Sequence, residues 1–217
     1  MSKGFTFIEL VVATGILLVL VGFGTASYVN FNERNLLEKE AIDLKQTLRE
    51  AQANAIDGVK DNALCDPDGA APLPPETFRG WCISPVYTDP LATAGDPYDA
   101  YQIYGVCDTD EDGVDVRTFP ASGNIRPLSL PEGVVLFSRA FSPNLPAPGY
   151  VTNTVDARAR FNVFGDDVRF ADDTYTKVVF CLQGSFPSLG ADDFYQVTIQ
   201  RSGEINDDGF VDECATT

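Results

Sequence analysis

The chain has 217 residues and a formal net charge of −17, from 32 acidic and 15 basic side chains. A surface this acidic repels phosphate backbones, so nucleic acid is not expected among the partners, whereas divalent cations are favoured. The chain contains no His, which excludes Ser-His-Asp and Cys-His catalysis and every His-ligated metal site. Its hydrophobic content of 44% is that of a folded globular protein.

The N-terminal stretch is apolar apart from one carboxylate. After Lys3 and Gly4, residues 5–29 carry a single charge, at Glu9. As a helix this stretch would be roughly 37 Å long, enough to span a bilayer with some tilt, and Lys3 before it favours a cytoplasmic N-terminus. The alternative is an ordinary secretory signal peptide that is cleaved near Ala26. The short basic region and the acid within the apolar run weigh against that alternative.

Residues 3–10, which read K-G-F-T-F-I-E-L, resemble the class III signal of type IV pilins and pseudopilins. The resemblance implies that a prepilin peptidase removes residues 1–4 by cutting between Gly4 and Phe5, and methylates the new amino group of Phe5. It implies that Glu9 compensates this amino group on a neighbouring subunit during assembly. Further pilin or pseudopilin subunits and an inner-membrane assembly platform are the other implied partners. The chain would be a single-pass inner-membrane protein with an extracytoplasmic C-terminal domain before it enters a pilus or pseudopilus.

The N-terminal helix is predicted to continue to Asp57. Leu and Ala recur at spacings of four and three on one helix face, at Leu37, Ala41, Leu44, Leu48, Ala51 and Ala55. Asp57-Gly58 supplies a turn signal that ends the helix. Residues 5–57 are thus predicted as one rod, with residues 5–29 as a transmembrane and assembly segment and the Leu/Ala stripe as a core face.

Short strands separated by turn signals are predicted within residues 58–217. They cover residues 79–85, 101–107, 116–119, 134–142, 158–164, 177–182 and 194–200. Such a pattern favours a mostly antiparallel sheet. Together with the resemblance, it predicts an α+β protein with the pilin fold. In that fold a long N-terminal α-helix, transmembrane in its N-terminal half, packs on an extracytoplasmic, mostly antiparallel β-sheet domain.

An acidic turn at residues 108–115 is a candidate cation site. It has the D-x-D-x-D-G spacing of the first half of an EF-hand loop, with candidate ligands Asp108, Asp110, Asp112, Val114 and Asp115. Phe119 stands where the bidentate Glu of a complete EF-hand is expected, which excludes the full motif. Calcium is the one cofactor that the sequence suggests, and a solvated hairpin turn is the alternative. Residues 204–213 have a similar spacing but are more typical of an acidic tail.

Five Cys occur without a C-x-x-C pair, and an odd number leaves at least one outside any intramolecular bridge. The disulfide candidates are Cys65, Cys82, Cys181 and Cys214. The first two flank a Pro-rich loop and would staple it. A bridge between the last two would tether the C-terminal region, and the resemblance supports that pairing because many pilins close this region with a disulfide.

The sequence therefore indicates a structural protein and not an enzyme. The leading hypothesis is a subunit of a type IV pilus-like or type II secretion pseudopilus filament. The alternative is a secreted or membrane-anchored β domain that binds calcium or another ligand without entering a filament. The leading hypothesis leaves open whether the subunit would be major or minor and whether it would serve a pilus or a secretion system.

Overall fold

A computed structural model describes residues 6–58, 78–88, 91–93, 96–107, 118–119, 127–145, 150–152, 158–162, 167–170, 173–184 and 194–214. Within these residues one helix, α1 (Phe7–Ile56), is followed by eleven strands. The strands are β1 (Phe78–Val86), β2 (Ala100–Cys107), β3 (Thr118–Phe119), β4 (Leu128–Ser129), β5 (Val134–Phe141), β6 (Tyr150–Thr152), β7 (Ala159–Asn162), β8 (Val168–Phe170), β9 (Lys177–Gly184), β10 (Phe194–Gln200) and β11 (Ile205–Val211).

α1 begins and ends at identifiable caps. Thr6 has extended backbone angles and forms the N-cap, and Asp57 forms the C-cap. Gly58 follows with φ of 61°, a conformation that glycine adopts without steric cost and that commonly ends helices. The prediction that Asp57-Gly58 ends the helix is therefore confirmed.

The strands form two antiparallel sheets. The first has the order β3-β2-β1-β7-β8, with β4 also paired to β2, and the second has the order β11-β10-β9-β5-β6. A two-way backbone bridge joins the sheets, because Tyr98 and Leu136 each donate an N–H to the other's carbonyl oxygen at 2.8 Å. The amide of Val168 also donates to the carbonyl of Arg201 at 2.9 Å, which ties β8 to the turn after β10.

The core lies between α1 and both sheets. All six residues of the Leu/Ala stripe are at most 1% exposed, which confirms their predicted role as a core face. They pack with Ile83 and Phe161 of the first sheet and with Leu136, Phe180 and Ile199 of the second. Leu and Ala alone occupy this stripe, with no β-branched or aromatic side chain among them.

The pilin fold-class prediction is wrong. The described side chains of α1 fall into two segments with different environments: residues 7–23 are exposed, and only residues within 31–56 contact the sheets. The helix packs on two sheets where one was predicted, and the transmembrane half is not found among the described residues. The alternation of short strands indicated their existence, but alternation does not specify which strands pair, and β7 and β8 join β1 instead of continuing the second sheet.

Candidate assembly face

The start of α1 is a reciprocal capping box formed by Thr6 and Glu9. The amide of Glu9 donates to the Thr6 hydroxyl oxygen at 3.4 Å. In return, the Thr6 amide and hydroxyl donate to Glu9 Oε2 at 3.0 and 2.9 Å. The backbone hydrogen bond from Thr6, followed by the bond from its hydroxyl, lowers the pKa of Glu9. Glu9 is therefore ionised, and it also caps the N-terminal end of the helix. This local role is additional to its predicted role in assembly.

Residues 7–23 form an apolar helical segment with no described contact to the sheets, and every one of them is exposed. Phe7, Ile8 and Phe23 have exposed fractions of 82%, 71% and 74%. The apolar side chains project on all sides of the helix, whereas a helix on the surface of a globular protein has one apolar stripe. A helix that is apolar all round is one that other apolar groups surround, so this segment is a candidate contact surface.

Gly15 and Gly22 lie within this apolar segment. A Cβ placed at either position meets no described atom within 4 Å. The fold of the single chain therefore gives no packing reason for glycine at these positions. Small residues on a helix allow a second helix to approach its backbone closely.

Within the described residues, no helix combines the length and the apolar character that crossing a bilayer requires. The predicted single-pass location in the inner membrane is therefore contradicted.

The second half of α1 is held by β11 and the turn before it. The guanidinium carbon of Arg34 lies 5.2 Å from the centre of the Phe210 ring. Further along the helix, Lys45 Nζ is 3.2 Å from Asp207 Oδ2. The side-chain amide of Gln52 then donates to the Gly203 carbonyl at 2.9 Å. Because helix numbers rise while strand numbers fall, β11 runs antiparallel to α1 along these contacts.

Asp207 is the polar centre of this contact. Burial opposes its ionisation, but hydrogen bonds from Tyr195 and Lys45 and the charge of Lys45 outweigh burial and lower the pKa of Asp207. Burial, followed by the hydrogen bond to Asp207, raises the pKa of Tyr195 to about 12. Asp207 thus remains a carboxylate at neutral pH, shared between the helix and the strand beside it.

Asp208 has a different set of partners. Its Oδ2 accepts from Thr198 Oγ1 at 2.6 Å and from Gln196 Nε2 at 2.7 Å, both on β10. Two of the acidic residues that suggested a second cation-type stretch at 204–213 therefore attach β11 to its neighbours: Asp207 to α1 and Asp208 to β10. In the part of the chain that is described, no group of three or more Cys, Asp or Glu side chains is arranged to hold a metal ion.

Several predicted site residues lie outside the described residues. These are the processing residues Gly4 and Phe5 and the calcium candidates Asp108, Asp110, Asp112, Val114 and Asp115. Their predicted roles stay predictions. Glu9 is the one predicted assembly residue whose surroundings the structure gives.

The predicted tether between Cys181 and Cys214 is present as a disulfide with a Cα–Cα distance of 5.7 Å. Both residues are buried in a small cluster with Phe141 and Val179. Cys82 carries a thiol that is also buried, 3.7 Å from the Ile83 carbonyl oxygen, and its predicted partner Cys65 lies outside the described residues.

Comparison with known proteins adds no relative. No protein-family model, no curated protein and no solved structure matches the chain. Functional inference therefore rests on the residues and on the surfaces that they form.

Two features of this region go beyond the sequence predictions. The capping box has a sequence signal, Thr6 followed three positions later by Glu9. The strand β11 also has a sequence signal. A turn that contains Gly203, whose φ is 86°, separates β10 from Ile205 at the start of β11. Four carboxylates in residues 207–213 concealed that strand, since Asp is depleted in strands.

Proposed function

We propose that this chain is a structural subunit of a type IV pilus-like or type II secretion pseudopilus filament, assembled through the N-terminal segment of α1. A prepilin peptidase cuts between Gly4 and Phe5 and methylates Phe5 before assembly. Other subunits of the same class surround residues 7–23 in the filament, and the β-rich body remains outside. The role is structural and involves no catalysis by this chain.

The observation that carries this proposal is the apolar segment at residues 7–23, which is exposed on all sides although the body of the protein is well packed. Burial of apolar surface contributes about 25 cal/mol per Å². Covering the exposed segment with other apolar groups would therefore contribute a large favourable free energy of association. Exposed apolar patches of this extent mark interaction sites. A filament interior is a site in which one helix is surrounded by several others.

Two further observations support a helix-packed filament. Gly15 and Gly22 have open space around them in the single chain. Small residues at such positions allow the backbone of a second helix to approach closely. Glu9 is ionised and exposed at the end of the segment. In the assembled filament it compensates the amino group of Phe5 on a neighbouring subunit, because an apolar interior disfavours an unpaired charge.

The test places a charge in the apolar segment. The variant Leu17→Glu replaces a leucine side chain that is 61% exposed with a carboxylate. Because Leu17 lies in the exposed segment, the fold of the body should be unchanged. In cells that contain a prepilin peptidase and the assembly proteins, we expect the variant to be processed at Gly4/Phe5 but to form no filaments. Mass spectrometry of the N-terminus reports processing, and electron microscopy of sheared filaments reports assembly.

The matched control is Leu91→Glu, the same substitution at a leucine that is 84% exposed on the body. This control should form filaments at the wild-type level. Normal filaments from Leu17→Glu, or a wild-type N-terminus produced by cleavage near Ala26, would contradict the proposal.

A further inference from the structure

The second sheet ends at β11. Among the described strands β11 pairs with β10 alone, so its far side is an edge of the sheet. The Gln200 amide donates to the Glu204 carbonyl at 2.9 Å, and hydrogen-bonded and non-bonded pairs alternate along antiparallel strands. The N–H and C=O groups of Ile205 and Asp207 therefore point away from β10, toward that edge. An edge of this kind is a template on which a further strand can add.

A β-bulge at Asp208 and Gly209 interrupts this edge. Val197 of β10 pairs with Asp207, and the preceding residue Gln196 pairs with Gly209, so Asp208 is one residue in excess. Gly209 has a φ of 76°, and a Cβ at this position would meet no described atom within 4 Å. Glycine is therefore required here for its backbone angle and not for space.

Side chains of both strands hold the bulge in place. Asp208 Oδ2 accepts from Thr198 Oγ1 at 2.6 Å and from Gln196 Nε2 at 2.7 Å, which anchors the extra residue to β10. The Gly209 amide donates to Asp207 Oδ1 at 3.3 Å, within the same strand. The bulge is therefore a fixed feature of the sheet.

The charges in and beside β11 are all acidic. They belong to Glu204, Asp207, Asp208, Asp212 and Glu213, and residues 202–217 contain no Lys or Arg. Like charges directly opposite each other destabilise a pair of strands. Pairing of β11 with the same strand of a second copy therefore brings acids together and offers no basic residue to compensate them.

We propose that the bulge at Asp208 and Gly209 is a barrier that keeps the β11 edge from adding a further strand, including β11 of a second copy. A bulge bends its strand and disrupts the ladder, so a straight strand laid along the edge finds backbone partners on one side of the bulge only. This inference does not depend on the proposed filament, because it concerns the body and not residues 7–23. It implies that bodies in any assembly lie side by side without joining their sheets through β11.

The first test offers a strand to the wild-type full chain. The probe is a peptide of alternating Lys and Val, as long as β11, so its charge is complementary to the acids and favours contact. We expect it to leave hydrogen exchange at the amides of Ile205 and Asp207 unchanged. Protection of these two amides by the peptide would show that the edge is open and would overturn the proposal.

The matched variant removes the bulge. Deletion of Asp208 brings Asp207 next to Gly209, and the residues of β11 then pair with those of β10 one for one. Asp207 and Phe210 keep their side of the sheet, so their contacts with α1 are retained. The deletion is combined with Gly209→Thr, since threonine favours a straight strand. In this straightened chain the peptide should slow exchange at the amides of Ile205 and Asp207 roughly tenfold or more.

Asp208→Ala is the control, because it removes the carboxylate and its hydrogen bonds but keeps the extra residue. The peptide should not protect the edge amides of this variant. Equal protection in Asp208→Ala and in the straightened chain would show that the acid and not the bulge blocks the edge. A straightened chain that unfolds cooperatively in urea but gains no protection would also refute the barrier. If the straightened chain does not fold, the wild-type experiment still decides.

Pairing between copies is measured without the peptide. The substitutions Glu204→Gln and Asp212→Asn are introduced into the straightened chain and into the chain that keeps the bulge. Exchange at Ile205 and Asp207 should slow with rising protein concentration in the first and be independent of concentration in the second. Concentration dependence in the chain that keeps the bulge would overturn the proposal. None of these results bears on the filament, on which Leu17→Glu reports separately.

Discussion

At the scale of single residues, Glu9 caps α1 and is also proposed to pair in assembly, and the substitution Glu9→Ala does not separate the cap from the charge. Its carboxylate accepts two hydrogen bonds from Thr6 and so fixes the first turn of α1. Its charge is also exposed at the end of an apolar segment. The variant Glu9→Ala would remove both, so a loss of assembly in that variant would not identify the cause.

A pair of variants separates the cap from the charge. Thr6→Ala removes the N-cap hydroxyl and should cost about 1 kcal/mol of local helix stability, so the first turn frays. Glu9→Gln retains an acceptor at the third helical position and should leave the turn protected. Amide hydrogen exchange at residues 7–10 measures both effects.

Under the proposed function, Glu9→Gln should nevertheless lose the charge that would pair with the amino group of Phe5 on a neighbouring subunit. If it frayed the first turn as much as Thr6→Ala, the capping role would depend on the charge itself and the two roles would not be separable.

At the scale of elements, β11 fixes the direction of α1. Three contacts along the strand and its turn meet three helix residues: Arg34, Lys45 and Gln52. The helix residues lie eleven and seven positions apart, close to whole numbers of turns, so they share one side of α1. Apolar packing determines how close the helix lies, and these polar contacts determine its register along β11.

The pH dependence of this attachment follows from Asp207. Its pKa is lower in the folded chain than in the unfolded chain, so it contributes stability above its unfolded pKa of about 3.9 and loses that contribution as the pH falls further. Asp207→Asn should reduce the free energy of unfolding by about 1 kcal/mol at pH 7. The difference from wild type should shrink as the pH falls below that value.

Urea unfolding at pH 7 and in acid measures the difference in the free energy of unfolding between wild type and Asp207→Asn. Glu204→Gln is the control, since Glu204 is an exposed acid beside the same strand. A difference between wild type and Asp207→Asn that persists in acid would show that the carboxylate contributes by its shape and not by its charge.

Local patterns in the sequence predicted the elements better than their arrangement. The Leu37–Ala55 stripe predicted a core face because helical spacing depends only on nearby residues. Strand pairing depends on partners that are distant in sequence, so the division into two sheets was not predicted. β11 was missed because its acids suggested solvent, whereas Asp207 and Asp208 have partners on α1 and β10. At Glu9 the structure shows a helix cap, and the predicted role of this residue in assembly stays a prediction.

At the scale of the whole molecule, the net charge of −17 opposes both compactness and association. The described salt bridges, such as Lys45–Asp207 and Lys39–Asp43, neutralise only a few of the 32 acids. Any association between copies of the chain would therefore have to overcome electrostatic repulsion, and salt should assist such association.

Raising the NaCl concentration from about 10 to about 100 mM shortens the Debye length from ~30 to ~10 Å. We expect the Tm of the full chain at pH 7 to rise by a few degrees, because repulsion among like charges is screened more than the short ion pairs are. Differential scanning calorimetry measures the shift, and sucrose at equal osmolality is the control. A fall in Tm with salt would mean that attractive ion pairs outweigh the net charge.

The Cys181–Cys214 disulfide has a mechanical consequence if the chain is placed under tension. Its sequence separation of 33 encloses all of β10 and β11. If tension unravelled the body, the enclosed residues would add almost nothing to its extension, which would otherwise lengthen by roughly 110 Å. The strand that holds α1 thus lies inside a covalently closed loop. When the chain is stretched from its helix, this loop does not extend as long as the disulfide is intact.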